Sequence, residues 1–360
     1  MRLAIDASRS TVARITGTEH YALQLMRHLI LQNDLLANPH DITLYFRDAP
    51  RPDLFSLSSH VQQRVIPFSR AWTHLRFAAA LYTDKPDLTF VPAHTLPFVM
   101  PSKAMVTVHD LGYKLFPQAH SFSQRTYLDV TTRYSAKRAD IILADSLATK
   151  KDLMTFYGTP ERKIHVVYPA VTTPTINSVD VRTKYNLPRR YFVFIGTLQP
   201  RKNISRLVQA YTLYRQQTGD DAALVLAGGK GWLYDEAWTA NVKGIIATGY
   251  IDEADKGALL REAIALVFPS LYEGFGFPVL EAMYCDTPVI ASNTSSLPEL
   301  VGEAGLLVDP LSIESIANAM QQIASDEPLR QKVVALGREQ VKKFCWDVSA
   351  KQVLELLNEV

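Results

Sequence analysis

Cysteine is nearly absent from this chain, with only Cys285 and Cys345 among 360 residues. That scarcity excludes a disulfide framework and any zinc finger or ribbon, and a reducing compartment is the default expectation. Long apolar runs are missing too. A membrane span needs roughly 20 such residues, and candidates like Phe77–Tyr82 are only large enough for a core. The opening MRLAIDASRS meets an acid at Asp6, too early for a signal-peptide core, and reads as a first β-strand. There is no Asp-x-Asp pair. Histidine stops at His165: all 9 lie in the first 170 residues, and none shows metal-ligand spacing. His20 and His28, for instance, are too far apart for an i,i+4 zinc pair.

Charge is scarce only in the sum. The net value is +2, yet residues 1–170 hold 20 basic and 14 acidic residues and the remainder 18 and 22. Two halves of different chemistry are joined. Hydrophobic residues make up 47% and charged residues 21%, so collagen-like and disordered classes are excluded. At this length two domains are expected.

What is present is an alternation of short apolar runs and helical patterns. Strands are expected at Arg2–Ala7, Ile42–Phe46, Leu88–Pro92, Ala104–His109, Asp140–Ala144 and Ile164–Val167 in the first half. Six more, from Tyr191–Ile195 to Gly305–Val308, are expected in the second. Helices between them include Thr18–Gln32, Ala71–Tyr82, Ser123–Lys137, Leu147–Tyr157 and Ile204–Gln216. The pattern predicts an α/β chain of doubly wound parallel sheets, with ligands at the carboxyl ends of the strands. A stretch with Pro174, Pro188 and little apolar periodicity marks a linker. The expected division is residues 1–172, a linker at 173–188, a second domain at 189–343, and a terminal amphipathic helix at 344–360.

The richest segment runs from Ala265 to Asp309. A buried strand ends at Pro269, and a loop follows in which Gly274 and Gly276 flank Phe275. Pro278 then stands at a first helical position, where its missing N–H costs nothing. Backbone amides of Phe275, Gly276 and Phe277 at that helix start suit an anion. Glu273 precedes the loop and Glu281 lies about one turn into the helix, and a carboxylate accepts hydrogen bonds from a sugar or a ribose diol. From the residues alone, a tight turn with two solvated glutamates fits equally well.

This segment resembles the Glu-x7-Glu signature of the retaining glycosyltransferases of GT-B fold known as glycosyl transferases group 1. The match comprises Ser270, Glu273–Gly276, Pro278, Glu281–Met283, Pro288, Val289, Ser292, Pro298 and Glu299. Asp286 stands where the family usually has glycine. The resemblance implies a GT-B fold, two Rossmann-like domains facing a central cleft, with the terminal helix returning to the first and Trp346 as a packing anchor.

Further segments carry the resemblance. In YFVFIGTLQPRKN a strand ends at Gly196–Thr197, and Arg201 and Lys202 precede a helix. Adjacent cations there suit a diphosphate, although they are unfavourable beside a helix N-terminus. The family often has arginine where Thr197 stands; Lys202 fits the family lysine, and Arg201 is the substitute for the missing arginine. This wording is similar to a subgroup common in bacterial polysaccharide assembly. In the loop after the first strand, Gly17 and Thr18 either face a phosphate or cap the next helix at Thr18. His109 ends the VTVH strand, and the resemblance makes it a contact to the donor sugar, with Asp110 beside it. Tyr250 and Ile251 are implied to lie by the nucleotide base.

The expectation is therefore a retaining, metal-independent hexosyltransferase of mannose or glucose type that needs no cofactor. Its partners are a nucleotide-diphosphate sugar and a saccharide or lipid-linked acceptor, in cell-surface polysaccharide or lipopolysaccharide synthesis. No nucleic-acid partner is expected. The place is cytoplasmic, with the basic first domain able to meet an anionic membrane surface. A GT-B-like sugar-nucleotide epimerase and a non-catalytic nucleotide-sugar-binding subunit are the alternatives.

Overall fold

A computed structural model describes residues 1–12, 16–119, 121–174, 180–231, 233–240 and 242–359. The chain divides into two compact units, one of Met1–Ala170 with Phe344–Val360 and one of Val171–Lys343.

The first unit holds β1 (Arg2–Asp6), β2 (Asp41–Phe46), β3 (Val61–Val65), β4 (Leu88–Val91), β5 (Lys103–Val108), β6 (Ile141–Ala144) and β7 (Ile164–Val166). They form one parallel sheet in the order β3-β2-β1-β4-β5-β6-β7. The second unit holds β8 (Tyr191–Ile195), β9 (Ala223–Ala227), β10 (Ile245–Gly249), β11 (Leu266–Phe268), β12 (Val289–Ser292) and β13 (Leu306–Val308). Their order is β10-β9-β8-β11-β12-β13, again parallel. Inner strands such as β4, β6, β8 and β9 are buried at every residue, as sheets covered by helices on both faces require. Both sheets reverse direction once, between β1 and β4 and between β8 and β11. Those crevices, at the carboxyl ends of the strands, are where such sheets bind ligands.

Four local differences from the sequence expectation have physical causes. β3 was not expected; its VQQRV is polar because it lies on the sheet edge with one side open. The helix Val181–Tyr185 stands within the expected linker, where Asp180 accepts from the amides of Arg182 and Thr183 at 3.1 and 3.2 Å. Residues 175–179 of that linker lie outside the described residues. The first long helix starts at Gly17, not at a Thr18 cap: Thr16 is the cap and forms a capping box with Glu19. Residues 13–15 of the preceding loop lie outside the described residues. The short helix Leu297–Val301 follows β12, its start marked by Pro298.

The terminal helix Trp346–Leu357 packs on the helix Gly17–Asp34 of the first unit. Trp346 is buried, with its ring 5.9 Å from Tyr21 and 6.5 Å from His28. Asp347 accepts from Gln32 at 3.0 Å and meets His28 at 2.8 Å. At Asp286 the backbone has φ +60°, and its carboxylate takes a two-pronged bond from Arg338 at 2.6 and 2.9 Å. Among the described residues no helix is long and apolar enough to cross a membrane.

The crevice of the second sheet depends on a close approach of two glycines. A Cβ on Gly228, whose φ is +157°, would lie 2.0 Å from the Gly196 carbonyl oxygen. Gly158, at φ +62°, has open space around it. Gly158→Ala is expected to cost about 1–2 kcal/mol of backbone strain. Gly228→Ala should lower the thermal unfolding midpoint much further, because the backbone itself must move. Equal midpoints for the two variants would contradict this account.

Candidate functional site

The reversal point of the second sheet gathers five expected residues. Gly196 and Thr197 leave β8, and the chain makes one tight turn, Pro200–Lys202. Asn203, at φ +61°, then donates its amide to the carbonyls of Pro269 and Pro310 at 3.0 and 2.6 Å. This ties the turn after β8 to the ends of β11 and β13. Lys202 and Arg201 point to one place, the carboxylate of Glu273. Lys202 Nζ lies 2.5 Å from Oε1, and Arg201 donates to Oε2 at 3.1 Å and to the Tyr272 carbonyl at 2.6 Å. The Lys202 ammonium also sits 4.8 Å from the centre of the Phe268 ring. Glu273 is buried. Burial alone would raise its pKa, but Lys202 and Arg201 beside it hold it below the usual glutamate value.

The glycine loop is fixed from below. Ser295 accepts the Glu273 N–H at 3.0 Å, and Ser296 donates to the carbonyls of Glu273 and Phe275. Gly274 and Phe275 are buried, and the rings of Phe275 and Phe277 meet edge to face at 5.3 Å. Gly276 has φ +131°, and a Cβ there would meet Leu297 at 2.8 Å. It leads into the helix Phe277–Tyr284, with Pro278 in its first turn.

Glu281 faces elsewhere, to Lys256 on the helix Glu253–Arg261, at 2.9 Å. Both side chains are largely buried, and Lys256 also reaches Glu253 at 2.7 Å. Burial pushes the Glu281 carboxyl up, with Lys256 opposing it. Past the end of β10, Tyr250 is exposed and Ile251 buried.

In the first unit, His109 follows β5 beside the reversal point, buried with both ring nitrogens engaged. Nδ1 lies 2.7 Å from Asp145 Oδ2, and Nε2 lies 3.3 Å from the Pro92 carbonyl. Two acceptors suit the doubly protonated ring. Burial would lower the His109 pKa, but Asp145 overcomes it and the net direction is up. Tyr21 packs edge-on at 4.8 Å and bonds Thr107 at 3.2 Å. The neighbouring His94 ring, 5.2 Å away, is pushed down by burial and by His109. Asp110 is not the oriented partner of His109: it accepts the Gly112 N–H at 2.8 Å and closes a turn. Gly17 and Thr18 open the first helix of this same unit.

Sequence reasoning missed Asp145, Lys256, Asn203 and the two serines. Asp145 carries no local signal, since it meets His109 only through the pairing of Val108 with Ala144. Lys256 is likewise 25 residues from its partner.

Two family models match this chain: "Glycosyl transferases group 1" over residues 179–340 and "Glycosyltransferase Family 4" over residues 15–174. O-antigen chain mannosyltransferase B of Escherichia coli is 33% identical over 290 residues, 78% of this chain and 76% of that protein. Sucrose-phosphate synthase from Thermosynechococcus elongatus superposes with a TM-score of 0.75 at 22% identity, covering 100% of this chain and 98% of that one. Anabaena HepE, solved in complex with UDP and glucose, gives a TM-score of 0.74 at 15% identity over 100% of both chains. The structural likeness shows the fold, which is GT-B.

Two stability predictions follow from these pairs. Glu273→Gln leaves Lys202 and Arg201 without their counter-charge and should cost about 3 kcal/mol at neutral pH. The Glu273 pKa is depressed in the folded state, so its contribution is complete above the ordinary value of 4.5 and fades as pH falls through the folded value. Thermal melts of wild type and variant should therefore converge in acid; a constant gap would refute the assignment. Lys256→Met should also destabilise the fold by about 3 kcal/mol, and adding Glu281→Gln should restore much of that loss. Simple additivity in this double-mutant cycle would show that the pair is not coupled.

Proposed function

Because the chain belongs to the glycosyl transferases group 1 family and is a glycosyltransferase, we propose that it transfers mannose, with retention, from a nucleotide-diphosphate donor to a saccharide or lipid-linked saccharide acceptor. The observation that carries this is the cluster of Lys202, Arg201 and Glu273 at the reversal point of the second sheet. Two cations held at the carboxyl ends of β8 and β11 match the charge of a diphosphate leaving group. Mannose is favoured by the name of the 33% identical Escherichia coli relative, and its O-antigen role suggests surface polysaccharide assembly. HepE, of the same fold, was solved with UDP and glucose, which supports a nucleotide-sugar donor.

In this reaction the bond from sugar C1 to the leaving phosphate oxygen breaks. The acceptor oxygen bonds C1 on the same face, and the acceptor proton passes to the departing phosphate oxygen. Lys202 and Arg201 stabilise the charge that develops on that oxygen. Glu273 holds the two cations in place, and its remaining lone pairs, with the Phe275–Phe277 segment, take sugar hydroxyls. Glu281 accepts from the ribose, and Tyr250 and Ile251 flank the base. Gly196 and Thr197 give the diphosphate room to approach. With cations from side chains, no metal is needed.

Lys202→Ala is expected to lower turnover about a hundredfold or more and to weaken donor binding. Glu281→Ala should mainly weaken nucleotide binding. Thermal shift with GDP, UDP, ADP and their sugars identifies the donor, since ligand at a hundred times its Kd stabilises the fold by about 2.7 kcal/mol. Nuclear magnetic resonance of the product reports the anomer, and activity in EDTA reports metal independence. Unaltered donor affinity in both variants would remove the assignment, an inverted anomer would remove retention, and loss of activity in EDTA would remove metal independence.

A further inference from the structure

The first turn of the helix Glu253–Arg261 is crowded with acids. Asp252 precedes it, Glu253 and Asp255 lie in it, and Glu281 reaches it from the helix Phe277–Tyr284. Two lysines divide these four carboxylates between them. Lys256 is shared by Glu253 and Glu281, at 2.7 and 2.9 Å. Lys184 is shared by Asp252 and Asp255, at 2.6 and 2.5 Å. Acids suit a helix start, but Asp255 is only 2% exposed, and a carboxylate so deep needs partners. Its partners come from far back in the chain. Besides Lys184, the Tyr185 hydroxyl donates to Asp255 at 2.7 Å, and that hydroxyl in turn accepts the Asp252 N–H at 3.2 Å. Both stand on the short helix Val181–Tyr185, which the buried Val181 roots in the second unit.

The far end of the helix Glu253–Arg261 is held differently. Tyr191 of β8 donates to the Leu259 carbonyl at 2.8 Å, and Thr287, ahead of β12, donates to the Leu260 carbonyl at 2.8 Å. The sheet thus fixes the end of this helix, and Lys184 and Tyr185 fix its start. That start follows directly on Tyr250 and Ile251, and it carries Lys256 to Glu281. We propose that Lys184 and Tyr185 are positioning residues for the nucleotide, holding the first turn of the helix Glu253–Arg261 so that Lys256 stays on Glu281. With Asp255 satisfied by Lys184 and Tyr185, Lys256 is left to Glu281, and the carboxylate keeps one orientation towards the ribose. The proposal rests on the reading of Glu281 as the ribose acceptor and of Tyr250 and Ile251 as neighbours of the base.

The test is titration of the full chain with GDP, UDP and ADP, and separately with inorganic pyrophosphate, which has no ribose to engage Glu281. Lys184→Met should weaken the nucleoside diphosphate that binds wild type roughly tenfold, and Tyr185→Phe roughly threefold, while pyrophosphate affinity stays within about twofold. Tyr185→Phe removes one hydroxyl and keeps the ring, which guards against a folding defect in the lysine variant. Lys184→Arg should restore much of the loss. In turnover, Lys184→Met should raise the donor KM and leave kcat near wild type, the mark of lost ground-state binding. In a Glu281→Ala background it should add little, because the turn then has no carboxylate to hold. Arg182→Met is the control: it removes the pair with Glu262 at 3.0 Å, beyond the other end of the helix, and should leave nucleotide affinity unchanged. Unchanged nucleotide affinity in Lys184→Met, an equal loss for pyrophosphate, or full additivity with Glu281→Ala would each overturn the proposal. Wild type that bound no nucleoside diphosphate would overturn the donor reading with it, whereas equal binding by wild type and variants would overturn the proposal alone.

Discussion

The candidate donor site rests on one buried carboxylate. Glu273 lies where burial would neutralise a lone acid, and it stays ionised because Lys202 and Arg201 stand against it. The dependence is mutual, since neither cation would remain so deep without the acid. Around this triad the loops after β8 and β11 become one body. The Leu271 N–H donates to the Arg201 carbonyl at 2.9 Å, Asn203 bridges Pro269 and Pro310, and Ser295 and Ser296 carry the glycine loop. The second half of the chain is acidic on balance. Its cations therefore act locally, and this lattice of short bonds sets Lys202 and Arg201 side by side.

The Glu281–Lys256 pair solves a related problem differently. It is a single pair with a third member, Glu253, at the rim, and the carboxyl is left with a raised pKa. One glutamate of the signature is thus firmly charged, while the other is held closer to neutrality.

Much of the architecture was legible because buried parallel strands are written as unbroken apolar runs. YFVFI and ALVLA announce β8 and β9 without help from any partner. β3 was not legible, since VQQRV on a sheet edge has only one side to bury. The site divides in the same way. Residues joined within a motif, such as Lys202 and Glu273–Gly276, could be found from spacing and resemblance. Asp145 and Lys256 could not, because they reach their partners only after strands and helices have paired. Proximity in sequence does not decide the partner of His109: Asp110 adjoins it and accepts the Gly112 N–H, while Asp145 holds the ring. The Thr16 cap differs again, for its Thr-x-x-Glu spacing was present in the sequence and points to the right start of the helix.

The return of residues 344–360 to the first unit has a consequence for how the chain matures. The second unit is one continuous stretch, complete once Lys343 has been made. The first is not: Trp346, Ser349 and Asp347 must still arrive to cover Tyr21, bond the Tyr168 carbonyl at 2.7 Å and engage His28 and Gln32. During synthesis the earlier-made unit therefore waits, with an apolar groove open along the helix Gly17–Asp34, until the later one has emerged. The order of completion is the reverse of the order of translation, and apolar surface left open in the interval is what chaperones protect.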